Sequence, residues 1–512
     1  MKAIKVLMMM MMAVVTVIGF HSCNDDANDI IDNGNDNTGA YLSVNIDIPN
    51  GSASLRSAEH SGFEEAGEPD EYKVTSINLY FFEAGKYVTT VSFSGSDILP
   101  TTVSGANRVL ATSKKNVALE RTHTYNAYAI VNGMSNGVTL AVGSTTEDDF
   151  LEGNKLANVA TSVSDAIPAN GFVMASRTPD GALSSSPSVS LTIDPLNSEA
   201  SPENLKISVE RTVGKLMLSA NSPTNTYQIL DDASNVVADV ELTNYAIVNA
   251  MKTSFTFRHT AAVGQVNQAA PTYQYGHIIT GTSDYLMDPL THEKTVADIT
   301  NYSKWTGAYI NHASTIAGPA SVTTAMPTTA NVILGYCYEN ATEQTAQKNG
   351  YSTGIIFKAK VVPAAGQVLE ESGGALVPMS TVPASFYHCE GKLYKDVTAV
   401  IVDYPAIPAG TTNLALKTVY DVDYLDNGVC FYKYWIVHEN NFNPAGDPVM
   451  GIMEYSIVRN NVYKMKVTGI NSIGSGVPPI DPEDDNETTN VYLKMEMTIL
   501  PWIVRSQEDI KL

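Results

Sequence analysis

The sequence has few basic residues and few cysteines, and each shortage excludes a class of function. It contains 31 Lys and Arg residues against 54 Asp and Glu residues, which gives a formal net charge of −23. No stripe of Lys and Arg could release counterions from a phosphate backbone, so no nucleic acid is expected as a partner. Only 4 of the 512 residues are cysteines and no C-x-x-C pair occurs, so neither a metal framework nor a disulfide-dense scaffold is predicted.

Catalytic and metal-binding motifs are also missing. Neither G-x-S-x-G nor G-x-x-x-x-G-K-[ST] occurs, and the 9 histidines show no i, i+4 pairing. In "DVDYLDNG", Asp421, Asp423 and Asp426 are spaced somewhat like a calcium loop, but the closing Glu is absent and Asn427-Gly428 favours a hairpin turn. We expect no enzymatic activity, no metal site and no cofactor.

Sustained helical periodicity is absent as well, and what remains is typical of a mainly β protein. Short alternating runs rich in Val, Thr, Ile and Tyr are interrupted by clusters of Asn, Gly, Ser and Pro. Three cysteines, Cys337, Cys389 and Cys430, allow at most one disulfide, and we expect them to serve as small apolar filler.

The only long apolar run lies at the N-terminus. Two lysines precede it, and it ends in "IGFHSC", so residues 1–22 are predicted to be a secretory signal peptide. The last residues resemble the lipobox of bacterial lipoproteins, with Cys23 as the lipidated residue, although His21 stands where a small residue is usual. A conventional signal peptide with an incidental Cys23 is the alternative. The acidic "NDDANDIIDNGNDNTG" that follows is predicted to be a flexible tether.

The first strand candidate is "AYLSVNIDIP". Leu42, Val44, Ile46 and Ile48 alternate with polar neighbours, as in a strand with one buried face. No Lys or Arg separates Cys23 from Arg56, so an Arg-specific protease would meet its first site at Arg56 and Ser57, in a small polar loop.

The last residues, 489–512, show the same alternation. Val491, Leu493, Met495, Met497 and Ile499 occupy every second position, and Pro501 is predicted to divide this tail into two strands. In the preceding "GSGVPPIDPEDDNETT", Gly and Pro should bar helix and strand and the acidic run should stay solvated, which gives the tail freedom to reach a neighbouring molecule. The alternative is that the tail folds back as an ordinary edge strand of its own domain.

Breaker-rich segments predict the domain organisation. The signal peptide (1–22) is followed by the lipidated tether with the first strand candidate (23–56). An N-terminal β-sandwich domain covers 57–222, and a C-terminal one covers 223–488, with an insertion near 259–330. Residues 489–512 form the final segment.

Several segments resemble the fimbrillin family of Bacteroidales, the subunits of type V pili, and are most similar to the shaft subunit of minor, short fimbriae. The resemblance rests on segments found in the family's order, namely "VMAS", "VERTVGKLML", "YCYENATEQTAQKNGYSTGIIFKAKV", "FYHCEGKLYKD", "NGVCFYKYWIVHENN", "MEYSIVRNNVYKMKVTGINSIGSG" and the closing "PW…R".

This resemblance implies two transthyretin-like β-sandwich domains and export to the outer membrane surface as a palmitoylated lipoprotein. An Arg-specific protease then cuts between Arg56 and Ser57 and removes the first strand. The tail of another copy fills the groove by donor-strand exchange. The implied partners are other copies of the chain in the fimbrium, accessory anchor and tip subunits, and host or bacterial surface receptors. The implied roles are cell adhesion, biofilm formation and virulence.

Two other functions are compatible with the sequence. A tip or accessory adhesin would keep the fold and use residues 259–330 to bind a host protein or glycan. A glycan-binding surface lipoprotein would need an exposed aromatic platform, for which Trp305, Trp435 and Trp502 are few and far apart.

Overall fold

The computed structural model of the chain is built mainly from β-strands. It describes residues 38–48, 65–99, 102–104, 107–157, 163–178, 186–262, 272–275, 284–291, 299–328, 331–341, 346–438, 450, 453–478, 481–486 and 492–504. The predicted mainly β fold class is confirmed.

The first half of the described chain contains twelve strands and one short α-helix. The helix α1 is Glu147–Gly153, and Thr146 caps it by accepting a hydrogen bond from the Asp149 amide. The strands are β1 (Thr38–Ile48), β2 (Glu65–Gly67), β3 (Ser76–Glu83), β4 (Lys86–Ser94), β5 (Thr102–Ser104), β6 (Asn107–Ala111), β7 (Lys115–Glu120), β8 (Thr124–Val131), β9 (Lys155–Ala157), β10 (Met174–Ser176), β11 (Val189–Thr192) and β12 (Glu203–Arg211).

The second half continues the same pattern with further strands and two helices, α2 (Val397–Asp403) and α3 (Asn413–Tyr420). Its strands are β13 (Val213–Ala220), β14 (Thr226–Leu230), β15 (Val236–Val248), β16 (Ala250–Met251), β17 (Thr253–Phe255), β18 (His259–Ala262), β19 (Gln274–Tyr275), β20 (Asp284–Met287), β21 (Tyr309–Ile310), β22 (Thr324–Ala325), β23 (Val332–Tyr338), β24 (Gly354–Pro363), β25 (Val368–Ser372), β26 (Ala375–Pro378), β27 (Phe386–Cys389), β28 (Lys392–Tyr394), β29 (Asp423–Leu425), β30 (Val429–Trp435), β31 (Asn461–Ile470) and β32 (Leu493–Val504).

The N-terminal sheet folds over its own core. Its strand order is β4-β3-β8-β10-β12-β1-β6-β5, with β11 beside β8 and β7 beside β1. One core cluster joins Leu42 of β1 to Leu79 of β3, although these strands are not neighbours in the sheet. The two ends of the sheet therefore face each other as the layers of a sandwich. The outer face is covered by α1, through Phe150 and Leu151.

The C-terminal half forms a second sandwich from two five-stranded sheets. One has the order β2-β32-β31-β13-β23, and the other the order β14-β15-β24-β30 with β22 beside β15. A single large cluster, which includes Leu216, Ile247, Phe357 and Met465, fills the space between them. A further sheet, β26-β25-β28-β27-β29, carries α2 and α3 on a separate apolar cluster.

The chain passes from the first sandwich to the second at one residue. Strand β12 belongs to the N-terminal sheet and β13 to the C-terminal sheet, and only Thr212 separates them. Sheet membership thus changes about ten residues before the predicted boundary at 222, which stays a prediction. Residues from the predicted insertion at 259–330 also enter buried clusters, Trp305, Tyr309 and Ile310 among them.

Buried charges join the sandwiches at this passage. The Glu71 side chain, in a 3-10 turn after β2, pairs with the Lys215 ammonium at 2.8 Å and accepts a hydrogen bond from the Tyr336 hydroxyl at 2.6 Å. The Arg211 guanidinium donates to the Glu71 carbonyl at 2.9 Å. Burial lowers the pKa of Arg211 to about 10 and the nearby Glu71 opposes that shift, so the side chain stays charged at neutral pH.

A second buried group centres on Arg459, whose side chain is fully buried. Its guanidinium contacts the Glu339 carboxylate at 2.5 Å, lies 4.0 Å from that of Glu210, and donates to the Thr256 carbonyl at 2.8 Å. Glu210 also pairs with Arg258. Burial acts to lower the pKa of Arg459, but the two carboxylates raise it above its ordinary value. Each charge therefore has an opposite charge beside it, as buried ions require.

We predict that Arg459→Met lowers the free energy of unfolding by about 3 to 5 kcal/mol, because it leaves the buried Glu339 carboxylate without its cation, whereas Glu210 keeps Arg258. The measurement is urea unfolding followed by tryptophan fluorescence. Lys395→Met is the matched control, since the Lys395–Glu370 pair is exposed and worth at most about 1 kcal/mol. Equal losses in both variants would contradict a structural role for the buried group.

Candidate functional site

Strand β1 lies inside the N-terminal sheet, with a partner on each side. It runs parallel to β12, where Leu42 is opposite Glu203 and Ile46 is opposite Ile207. On its other side it runs antiparallel to β7 and then to β6. Removal of β1 would therefore open two rows of backbone hydrogen-bonding groups at once. We call the space between β12 and β6/β7 the β1 groove.

The apolar side chains of β1 point into the core, as the alternation predicts. Leu42, Val44 and Ile46 are 0% exposed and Ile48 is 1% exposed, and all four belong to the main N-terminal cluster. The structure thus brings the four predicted residues together on one fully buried face. Whether this strand is displaced remains a prediction.

Two side chains on the walls of the groove bind the β1 backbone. Asn197 accepts a hydrogen bond from the Tyr41 amide at 2.6 Å and donates to the Tyr41 carbonyl at 3.0 Å. The Thr112 hydroxyl accepts from the Val44 amide at 2.9 Å. On the β1 side these hydrogen bonds involve only main-chain atoms, so Asn197 and Thr112 could bind any extended strand in this position. Sequence reasoning missed both residues, because they are 156 and 68 positions from their partners.

The C-terminal tail lies in the sheet of its own chain, which was the alternative in the sequence analysis. Strand β32 pairs antiparallel with β31, with Met497 opposite Met465 and Met495 opposite Val467. Leu493 is 3% exposed, whereas Met495, Met497 and Ile499 are half-buried against the C-terminal core. The intervening Lys494 and Glu496 are exposed, so the predicted alternation holds but the burial is incomplete.

The predicted division of the tail at Pro501 is wrong. Strand β32 runs without interruption from Leu493 to Val504. Its partner changes at the proline, because the pairing with β31 ends at Pro501 and the pairing with β2 begins at Trp502. Proline cannot donate to a sheet, so it lies at the end of the β31 ladder and not within it.

The linker before the tail is docked at residues 481–486, although the acidic side chains of Asp481, Glu483 and Asp484 are exposed, as predicted. The Asn486 side chain is 3% exposed and donates to the Ser352 hydroxyl at 2.6 Å. Asn349 donates to the carbonyls of Asp481 and Asp484. Lys348 pairs with Asp485. Residues 481–486 of the linker are thus fixed to the C-terminal sandwich.

The three aspartates of the calcium-like segment have protein partners instead of a shared centre. The Lys417 ammonium contacts Asp421 at 2.7 Å and Asp423 at 2.9 Å, and Asp426 accepts a hydrogen bond from Ser385. Within the described residues, no group of three or more His, Cys, Asp or Glu is arranged to hold a metal ion.

The predicted turn at Asn427-Gly428 is present, since both residues have positive φ, at +51° and +72°. The prediction of a hairpin is wrong, because β29 pairs with β27 whereas β30 pairs with β24. A Cβ on Gly428 would lie 2.4 Å from the Val361 carbonyl oxygen. The glycine therefore allows the chain to cross closely between two sheets.

The described cysteines and tryptophans are packing residues. Cys337, Cys389 and Cys430 are buried and unpaired, and burial raises the pKa of the Cys337 and Cys430 thiols to about 12. Trp305 and Trp435 are 4% and 3% exposed, so neither contributes to an aromatic platform at the surface.

Four predicted site residues lie outside the described residues, namely Cys23, Arg56, Ser57 and Val491. The predicted lipidation and cleavage therefore stay predictions. Among the residues that the structure does describe, no helix is both long and apolar enough to cross a membrane.

Comparison with known proteins points to one family. Residues 423–508 match the family model described as "Major fimbrial subunit protein type IV, Fimbrillin, C-terminal". This range contains β29, β30, β31 and the tail strand β32. No curated protein matches the chain.

Two solved structures illustrate the similarity at the level of the whole chain. A fimbrilin (FimA) from Porphyromonas gingivalis is 13% identical with a TM-score of 0.39, covering 91% of this chain and 99% of that one. The tip fimbrial protein of the same species, with a C-terminal truncation, is 12% identical with a TM-score of 0.35, covering 91% and 100%.

Residues 423–508 are therefore similar to the C-terminal region of fimbrillins, and this part of the chain contains the tail strand β32.

Proposed function

We propose that the chain is a shaft subunit of a cell-surface fimbria, which polymerises by donor-strand exchange after proteolysis removes β1. The observation that carries this proposal is the position of β1, which has a fully buried face and a partner on each edge. A sandwich that loses such a strand exposes both core and backbone, and a strand from a second copy can satisfy both.

The difference in burial supports a transfer of the tail into the β1 groove. In its own sheet, the tail keeps Met495, Met497 and Ile499 half-exposed. The corresponding apolar side chains of β1 are fully buried. Full burial of one large apolar side chain stabilises by about 1.5 to 3 kcal/mol. Each half-exposed tail residue that enters the groove therefore adds part of that amount to the joint between two subunits.

The number of strand partners also supports transfer of the tail into the β1 groove. In its own chain β32 has β31 along most of its length and β2 only at its end. A strand in the β1 groove has β12 on one edge and β6 with β7 on the other. The side chains of Asn197 and Thr112 would bind the main chain of the incoming strand as they now bind that of β1. More of the tail backbone is thus paired after the transfer.

The docked linker supports a pivot near residue 486 for this proposed movement. Asn486 is buried and β32 begins at Leu493, so six residues, 487–492, separate them. Six extended residues span at most about 22 Å. The tail can therefore swing out while 481–486 stays attached to its own sandwich, and the filament keeps a fixed point beside every joint.

The precursor is proposed to reach the outer membrane surface as a lipoprotein anchored through Cys23. An Arg-specific protease then cuts between Arg56 and Ser57 and releases β1 together with the lipid. Anchor and tip subunits end the polymer, which binds host or bacterial surface receptors and supports adhesion and biofilm formation. The lipobox-like "IGFHSC" and the absence of Lys and Arg between Cys23 and Arg56 support this order of events.

We predict that Met497→Glu abolishes polymerisation while the monomer still folds. On a denaturing gel, the ladder of heat-resistant multimers should be lost. Position 497 is half-buried in its own sheet, so a glutamate there can turn its carboxylate toward water. In the closed β1 groove the same charge would be buried without a partner. Thermal unfolding of the monomer checks that the variant folds.

Glu496→Gln is the matched control for this experiment. Glu496 is the next residue along the strand, is exposed, and lies 3.7 Å from the Lys466 ammonium at the surface. The control should give the normal ladder. A normal ladder from a folded Met497→Glu variant would contradict the donor role of the tail.

We also predict that Ser57 is the first residue of the subunit in purified fimbriae, as read by N-terminal sequencing or peptide mass spectrometry. Arg56→Lys should leave the precursor uncut and fimbriae absent, because it keeps the charge but removes the residue that an Arg-specific protease recognises. A lipidated Cys23 as the first residue of assembled shaft subunits would show that β1 is retained.

A further inference from the structure

Strand β2 joins the predicted cleavage region to the tail. It contains only Glu65–Gly67 and pairs in parallel with the end of β32, with Ala66 opposite Ile503. It begins nine positions after Arg56. After a cut at Arg56, β2 would lie close to the new N-terminus. It is this strand that pairs with β32, the proposed donor.

The place of contact is the part of the tail that β31 does not reach. Pairing with β31 ends at Pro501, and the next three residues, Trp502–Val504, pair with β2. Within the described residues, β2 is the only strand paired with this part of β32. Within these residues, the end of the tail is therefore held in its own sheet through its pairing with β2.

Two fixed points hold β2 while the chain is uncut. Ahead of it, residues 49–64 lead back to Ile48, which is 1% exposed in the β1 groove. Behind it, the Glu71 side chain is fully buried between Lys215 and Tyr336. A short strand fixed at both ends loses little conformational entropy when it pairs, whereas one with a free end loses more.

From these contacts we propose that β2 is a latch which keeps the tail in its own sheet until the chain is cut between β1 and β2. The cut releases one fixed point, and a parallel pairing of three residues is too short to persist alone. The same event then opens the β1 groove and frees the end of the donor. This inference rests on the proposed donor-strand function, and it explains how unprocessed copies would avoid premature exchange.

The latch predicts a change in hydrogen exchange that does not require polymerisation. Full-length protein is cut at Arg56 with an Arg-specific protease at a concentration too low for assembly. Backbone amide exchange at residues 502–504 should rise at least tenfold after the cut, while β31 and the β13 ladder keep their protection. Unchanged exchange at 502–504 would overturn the latch.

A reversible lock gives the second test. Ala66→Cys/Ile503→Cys places thiols on opposite residues of β2 and β32, whereas the native Cys337, Cys389 and Cys430 are buried. After cutting, the oxidised double variant should form no ladder, and reductant should restore it. Ala66→Cys alone is the matched control and should polymerise with or without reductant. A ladder from the oxidised, disulfide-verified double variant would overturn the proposal.

Deletion of 489–512 separates failure of the latch from failure of donor-strand exchange. If the deletion variant still polymerises after cutting, the donor role itself is wrong. If the deletion abolishes the ladder but the oxidised double variant polymerises, the tail is the donor and only the latch is wrong. Loss of the ladder in both, with recovery of the double variant on reduction, supports the two proposals together.

Discussion

The burial of β1 is the constraint on which the rest of this structure depends. An inner strand contributes both an apolar face and two edges of backbone hydrogen bonds, and no side-chain rearrangement can replace both. In this chain the strand comes from the start of the described sequence and is followed by residues 49–64, which include a predicted protease site. A sandwich whose inner strand can be cut away needs a substitute strand, and the proposed polymer supplies one from a second copy.

The β1 groove and the tail are connected through consecutive strands of the two sandwiches. Strand β12 forms one wall of the β1 groove and continues through Thr212 into β13, which pairs with β31, the present partner of the tail. The buried ion pairs of Glu71 and Arg459 lie along this passage. Because each buried charge requires its partner, they disfavour separation of the sandwiches. Such a connection would suit the proposed shaft subunit, which would transmit load from one joint to the next.

The sequence predicted the features that depend on local alternation, and it missed those that depend on distant partners. The buried face of Leu42 to Ile48 and the inward face of the tail follow from a two-residue period. The partner of the tail strand could not be predicted from the sequence, because the alternation is the same whether the strand pairs with β31 or with a second copy of the chain.

The other differences between the sequence-based expectations and the structure also arise from contacts between residues that are far apart in the sequence. The linker at 481–486 is acidic and rich in breakers, yet backbone contacts with Asn349 fix it. Asn427-Gly428 makes the predicted turn, but the strands on either side enter different sheets. Local residues therefore specified the turn, whereas tertiary packing decided what the turn connects.

The most direct test of donor-strand exchange is a cryo-electron microscopy map of assembled fimbriae at a resolution that shows side chains. The account predicts that the strand between β12 and β6 is continuous with residue 486 of the neighbouring subunit and carries the side chains of Leu493, Met495 and Met497. A map in which residues 493–504 still lie beside β31 of their own subunit, with residues 38–48 in the β1 groove, would contradict it.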